Sequence, residues 1–236
     1  HVFGDSIIHR NAVQLRVRKM TVLEDEDISN YVRLAPMTRK EMEEEVKSLM
    51  EEITDSNLYC VVEQVLEETK DLFYTYPAAT RNHHNFVGGL AYHSISMARV
   101  ALDICKQYPW LDKGLLISGV LMHDIGKIDE LSGPVLPEYT NEGNLLGHIS
   151  IMNNRLDRVA EKLGVNDKEN ILLLKHMVLS HHGKMEFGSP VLPMIPDARM
   201  YMMKQSLDTT QPGHFGPRVF ALEGRMIYHR KGDNEE

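Results

Sequence analysis

Leu115-Leu116-Ile117-Ser118-Gly119-Val120-Leu121-Met122 is an almost wholly apolar stretch, and it runs straight into His123-Asp124-Ile125-Gly126-Lys127. Read as a buried helix, it delivers an adjacent histidine and aspartate at its end and is then interrupted by Gly126. A neutral imidazole beside a carboxylate makes a good pair of ligands for a divalent metal, and the carboxylate can bridge two ions. Lys127, one turn beyond Asp124, is placed to hold a phosphate oxygen. For an isolated pair the bland alternative is an aspartate capping, or a histidine packing, at a helix end.

The pair is not isolated. His93 lies mid-helix on the stripe of Leu90, Met97 and Val100, where an unsatisfied imidazole would be an awkward core residue. His148 starts a helix after Leu145-Leu146-Gly147, and His181-His182 end another in Leu179-Ser180-His181-His182-Gly183-Lys184. If those faces converge in one core the imidazoles meet there, and a dinuclear metal site is the least costly way to satisfy them.

Outward from this centre the pattern is helical. Thr38 with Glu41 fits a capping box, and Met42, Val46, Leu49 and Ile53 recur at helical spacing. A second helix is predicted over 56–73, and others over about 87–107, 113–124, 144–163 and 167–181, with Gly164 as one stop and Asp167 as the next cap. Residues 1–35 read instead as β-structure: Val2-Phe3 and Ile7-Ile8 flank Gly4-Asp5, and residues 13–18 alternate with period two. Glu24-Asp25-Glu26-Asp27 reads as a solvated turn. After Pro217 the apolar runs 218–222 and 226–228 predict a short terminal hairpin.

The order of these motifs resembles the HD-domain metallophosphohydrolases, and several longer stretches resemble the YhaM-type 3′→5′ exoribonucleases. They include Tyr76-Pro77-Ala78-Ala79, Arg81-Asn82-His83-His84-Asn85-Phe86-Val87-Gly88-Gly89-Leu90-Ala91-Tyr92-His93 and Glu130-Leu131-Ser132-Gly133-Pro134. Residues 142–152, 179–190, 211–213 and 218–222 extend the likeness over roughly 36–230. It implies a mainly α fold: an all-helical HD domain over 36–236, a small N-terminal β segment over 1–35 that looks like the last part of an OB-fold, and a short C-terminal hairpin. It implies that His93, His123 and Asp124 hold one ion, that His148, His181 and His182 hold a second, and that Asp124 and Lys127 are catalytic. The ions would be divalent, Mn²⁺ first, with Fe, Co²⁺ or Mg²⁺ as alternatives. The implied reaction removes nucleoside 5′-monophosphates from the 3′ end of single-stranded RNA or DNA. One departure stands out. After Pro196-Asp197-Ala198-Arg199-Met200 the family has about a dozen residues with an Ile-Asp-Asn-Leu-Asp-like stretch, whose first Asp completes the metal site; here Tyr201-Met202-Met203 follows at once.

The remaining candidates have plain alternatives. Arg16, Arg18 and Lys19 are expected to face nucleic-acid phosphates, against a solvated strand face, since residues 1–35 hold five basic and five acidic side chains. His83-His84 are read as structural or substrate-side, and His176 as helix surface or a support behind the ligands. Composition bounds the whole. With 42% apolar and 25% charged residues, disorder and coiled coil drop out. A net charge of −8 disfavours indiscriminate coating of nucleic acid, and two cysteines are too few for a disulfide framework. No apolar run has the length of a membrane span, so a cytoplasmic protein without a membrane partner is the default. Two other functions stay open: another HD reaction, on a mononucleotide or cyclic nucleotide, and a nucleic-acid-binding factor with an inactive HD site, which the departure after Met200 favours.

Overall fold

The computed structural model describes residues 1–22, 31–80 and 84–198. The chain divides into two compact units after Val32. The first holds an antiparallel hairpin, β1 (Val2–His9) and β2 (Ala12–Met20). Arg10 and Asn11 both have positive φ, 48° and 60°, and form its two-residue turn, whose left-handed conformation matches the twist of the strands. Gly4 lies inside β1 beside a register shift, where a Cβ would come 2.2 Å from the Arg16 carbonyl oxygen. Val13, Leu15 and Val17 share one face, as their alternation requires.

The second unit is helical: α1 (Arg39–Glu51), α2 (Ser56–Phe73), α3 (Gly89–Gln107), α4 (Lys113–Met122), α5 (Lys127–Glu130), α6 (Asn141–Leu163) and α7 (Glu169–Ser180). Thr38 and Glu41 form the expected capping box on α1, and Asp55 and Asp112 cap α2 and α4. From Gly114 to Met122, α4 is buried on every side, which is why its sequence lacks a polar face. Helices α2, α3 and α7 pack around it. Gly119 lets α7 approach, since a Cβ there would lie 2.4 Å from the Met177 methyl. The fold is mainly α with a small two-stranded sheet, and no helix among the described residues is long and apolar enough to cross a membrane.

Boundaries shift for local reasons. Helix α3 begins at Gly89, because Gly88 sits at φ 78°. Helix α6 begins earlier, at Asn141, because Thr140 caps it, and it bends at Gly147, whose φ of 71° and ψ of 153° leave the helical region. Asp167 is not the cap of α7; Lys168 holds that position without a side-chain bond. Met200–Tyr201 and the predicted C-terminal hairpin lie outside the described residues, as do Glu24–Asp27 and His83.

Candidate metal centre

Four elements deliver the site. His93 projects from the middle of α3, His123 and Asp124 follow the end of α4, His148 stands immediately after the Gly147 bend of α6, and His181 and His182 close α7. Their rings form a continuous chain: His93 to His123 5.3 Å between centroids, His123 to His181 5.3 Å, His181 to His148 5.5 Å and His148 to His182 5.2 Å. The imidazoles do gather in one place.

Asp124 lies at the centre of that chain. Its Oδ2 faces His123 Nε2 at 3.0 Å and His93 Nε2 at 3.8 Å, whereas Oδ1 faces His148 Nε2 at 3.4 Å and His181 Nε2 at 3.7 Å. Each oxygen thus addresses one group of histidines. Ligand atoms of His93, His123 and Asp124 lie close enough together to hold a metal ion, as do those of His148, His181 and His182.

The backbone sets which nitrogen points inward. His123 Nδ1 lies 2.8 Å from the Val120 carbonyl, His181 Nδ1 2.6 Å from that of Val178, and His182 Nδ1 2.6 Å from that of Phe187. A carbonyl can only accept, so each Nδ1 donates and Nε2 remains the acceptor nitrogen, the form in which imidazole binds metal. Asp124 Oδ1 and His148 Nε2 are buried with no hydrogen-bond partner among the described residues. Polar atoms in that state are costly unless an ion satisfies them, so the donor set fits a divalent cation.

Electrostatics point the same way. Burial pushes the Asp124 carboxyl up, but His123, Lys127 and His148 outweigh it and hold it well below the carboxylate range. Burial, then neighbouring imidazoles, push His181 well down from its ordinary 6.5; burial and His148 likewise lower His182, and burial alone lowers His176. These histidines are neutral when folded and bind protons more readily when unfolded. Their contribution to stability is therefore complete above about pH 6.5 and is lost as pH falls toward the folded values. The melting temperature of metal-free protein should drop between pH 7 and 5.5, each such histidine adding a slope of up to ~1.4 kcal/mol per pH unit. A flat profile in thermal melts over that window would contradict it.

Other expected residues are placed as follows. Lys127 Nζ donates to Asp124 Oδ2 at 2.7 Å and to the Ala78 carbonyl at 2.6 Å, so its first partner is the carboxylate rather than an open phosphate position. His84 Nδ1 lies 3.2 Å from His93 Nδ1, so one ring donates to the other beside the site. His176 Nε2 accepts from the Met194 backbone, which makes it an anchor for the loop after α7. Asp197 accepts from the Asp112 backbone at the start of α4, the end opposite to His123 and Asp124. In the first unit Arg18 is paired with Asp5, Arg16 lies across the ladder from Asp5, and Lys19 lies across from Phe3.

Sequence reasoning overlooked Glu130. Only 7% exposed, it accepts from His148 Nδ1 and from the His148 backbone N–H, both at 3.0 Å. Burial pushes its carboxyl up, but the His148 bonds prevail and lower it. In the sequence an acidic residue on a one-turn helix looks like solvated charge; in the fold it is packed, and a Cβ on Gly143 would fall 2.4 Å from the Glu130 carbonyl oxygen.

The sequence profile of the HD domain family matches residues 90–209, half of the chain, and the chain belongs to that family. Family membership and the His/Asp groups together indicate a metal-dependent phosphohydrolase. A second profile, described as "Putative helicase", matches residues 29–114. No solved structure matches the chain.

Proposed function

We propose that the protein is a 3′→5′ exonuclease that removes nucleoside 5′-monophosphates from single-stranded RNA or DNA, in the cytoplasm, with two divalent ions, Mn²⁺ foremost and Fe, Co²⁺ or Mg²⁺ as alternatives. The observation that carries the reading is Asp124 standing between two imidazole groups, with one oxygen toward each. His93, His123 and Asp124 would hold one ion, and His148, His181 and His182 the other, bridged by Asp124. Such ions lower the pKa of water and draw charge from the non-bridging oxygens of a phosphodiester.

The chain's own residues do the rest. Val120, Val178 and Phe187 carbonyls fix the tautomers of three ligands, and Glu130 fixes a fourth. Lys127, bonded to Asp124 and to the Ala78 carbonyl, favours the ionised carboxylate, and its remaining N–H would meet a phosphate oxygen. Arg16, Arg18 and Lys19 would lead the strand's phosphates, on the reading of residues 1–35 as an OB-fold remnant. Glu130→Ala should weaken binding of the ion assigned to His148, His181 and His182 roughly 10–100-fold in calorimetric Mn²⁺ titration. Unchanged affinity would remove Glu130 from the site.

The test of the whole reading is digestion of 5′-labelled single-stranded RNA with Mn²⁺ and with chelator. A ladder shortening from the 3′ end, abolished by chelator, is expected. A second reading, hydrolysis of a mononucleotide or cyclic nucleotide, is favoured by the location of every candidate ligand in the second unit. Intact RNA beside rapid release of phosphate from a mononucleotide would select it. RNA binding without metal uptake or turnover would select an inactive binding factor.

A further inference from the structure

Two of the segments that carry candidate ligands also carry exposed apolar side chains. Leu145 and Leu146 precede Gly147 and His148 on α6, and Leu145 is 82% exposed. Beyond His182, the single-turn 3₁₀ helix Met185–Phe187 exposes Met185 at 66% and Phe187 at 55%. Scattered exposed apolar residues need no explanation, but these four stand within five residues of His148 or His182, whose rings are 5.2 Å apart.

Phe187 is tied to the site through its own backbone. Its carbonyl accepts the His182 Nδ1 proton at 2.6 Å, so its backbone is bonded directly to a candidate ligand. Gly188 follows at φ 95°, a left-handed turn that ends the 3₁₀ helix and places the backbone against His182 Nδ1, 3.7 Å from where a Cβ would be. The carbonyl serves His182 and the ring is left to solvent. Lys184 brings its ammonium to 5.5 Å from the ring centroid, so a flat apolar face and a cation stand together. A phosphoester that also bears a planar aromatic group offers the complement of both: its phosphorus belongs at the metal centre, and its ring has a face to stack.

We infer that Phe187, with Lys184 beside it, is the stacking platform for the nucleobase of the substrate nucleotide, and that it makes the site prefer base-bearing phosphoesters over base-free ones. This rests on the phosphohydrolase reading of the metal centre, but it is tested by binding and needs no turnover. Because base stacking on an aromatic is sequence-tolerant, the platform would accept any of the bases.

The experiment is calorimetric binding of adenosine 5′-monophosphate and of ribose 5-phosphate to full-length protein supplied with Mn²⁺. Wild type should prefer the nucleotide by about tenfold or more, the scale of one base–aromatic stack. Phe187→Ala should cut that preference to about twofold or less, Phe187→Leu should do nearly the same, and Phe187→Trp should restore it. Circular dichroism of each variant checks the fold. An undiminished preference in Phe187→Ala overturns the assignment, as does the absence of a preference in wild type. If neither RNA nor mononucleotide is hydrolysed while the binding preference behaves as stated, the catalytic reading fails and the platform stands.

Discussion

Asp124→Asn should lose hydrolysis by on the order of 10³-fold or more while keeping its helical content. The substitution preserves shape and removes charge. It leaves one carbonyl oxygen where two carboxylate oxygens had faced two histidine groups, and an amide nitrogen does not ligate. Metal ions contribute several kcal/mol of charge stabilisation in phosphoryl chemistry, and at ~1.4 kcal/mol per decade a thousandfold loss follows from forfeiting them. Bound Mn²⁺, counted after gel filtration, should fall by at least one ion per chain. Stability should fall as well, because Lys127, only 16% exposed, loses its carboxylate and keeps only the Ala78 carbonyl. Breaking a buried ion pair from one side typically costs ~3–5 kcal/mol. Adding Lys127→Met should recover much of that stability without recovering metal binding. Full activity and full metal content in Asp124→Asn would remove the aspartate from the centre of the site.

The convergence of these side chains could be read from sequence because the candidate ligands sit at helix ends or on an apolar face, where imidazoles are conspicuous. His123-Asp124 ends an apolar helix, His181-His182 ends another, and His93 interrupts a stripe of Leu90 and Met97. Helices were legible through caps and period, as with Thr38 and Glu41. Contacts decided in three dimensions were not legible. Glu130 acts through a bond to a residue eighteen positions away. The bend at Gly147 depends on a positive φ that no local pattern announces, and the bend is what turns His148 toward Asp124. In the hairpin the sequence marked β-structure without locating the reversal, which strand length and register place at Arg10 and Asn11, both left-handed. Arg18 illustrates the same limit: its alternation marks a face, and only the fold shows Asp5 as its partner.

The glycine after the His-Asp pair provides the sharpest test of how the site is assembled. Gly126 has φ −57° and ψ −16°, an ordinary right-handed conformation, so nothing in the backbone angles requires glycine. By propensity alone alanine should be about 1 kcal/mol better in a helical setting. Space forbids it. A Cβ on Gly126 would fall 2.1 Å from the His148 carbonyl oxygen, 2.9 Å from its carbonyl carbon and 3.1 Å from its Cα. These are backbone atoms of a candidate ligand and cannot swing aside as a side-chain tip would. Gly126→Ala must therefore push α5 and the bend of α6 apart, separating His148 from both Asp124 and Glu130. Overpacking costs ~1–3 kcal/mol and sometimes more, and a chain of this size melts roughly 2–4 °C lower per kcal/mol. A drop of about 2–12 °C is expected, with weakened Mn²⁺ binding. Gly133→Ala is the matched control, since a Cβ there meets nothing within 4 Å. If the two variants melt together and bind Mn²⁺ alike, the close approach of α5 to His148 is not what holds the metal centre in register.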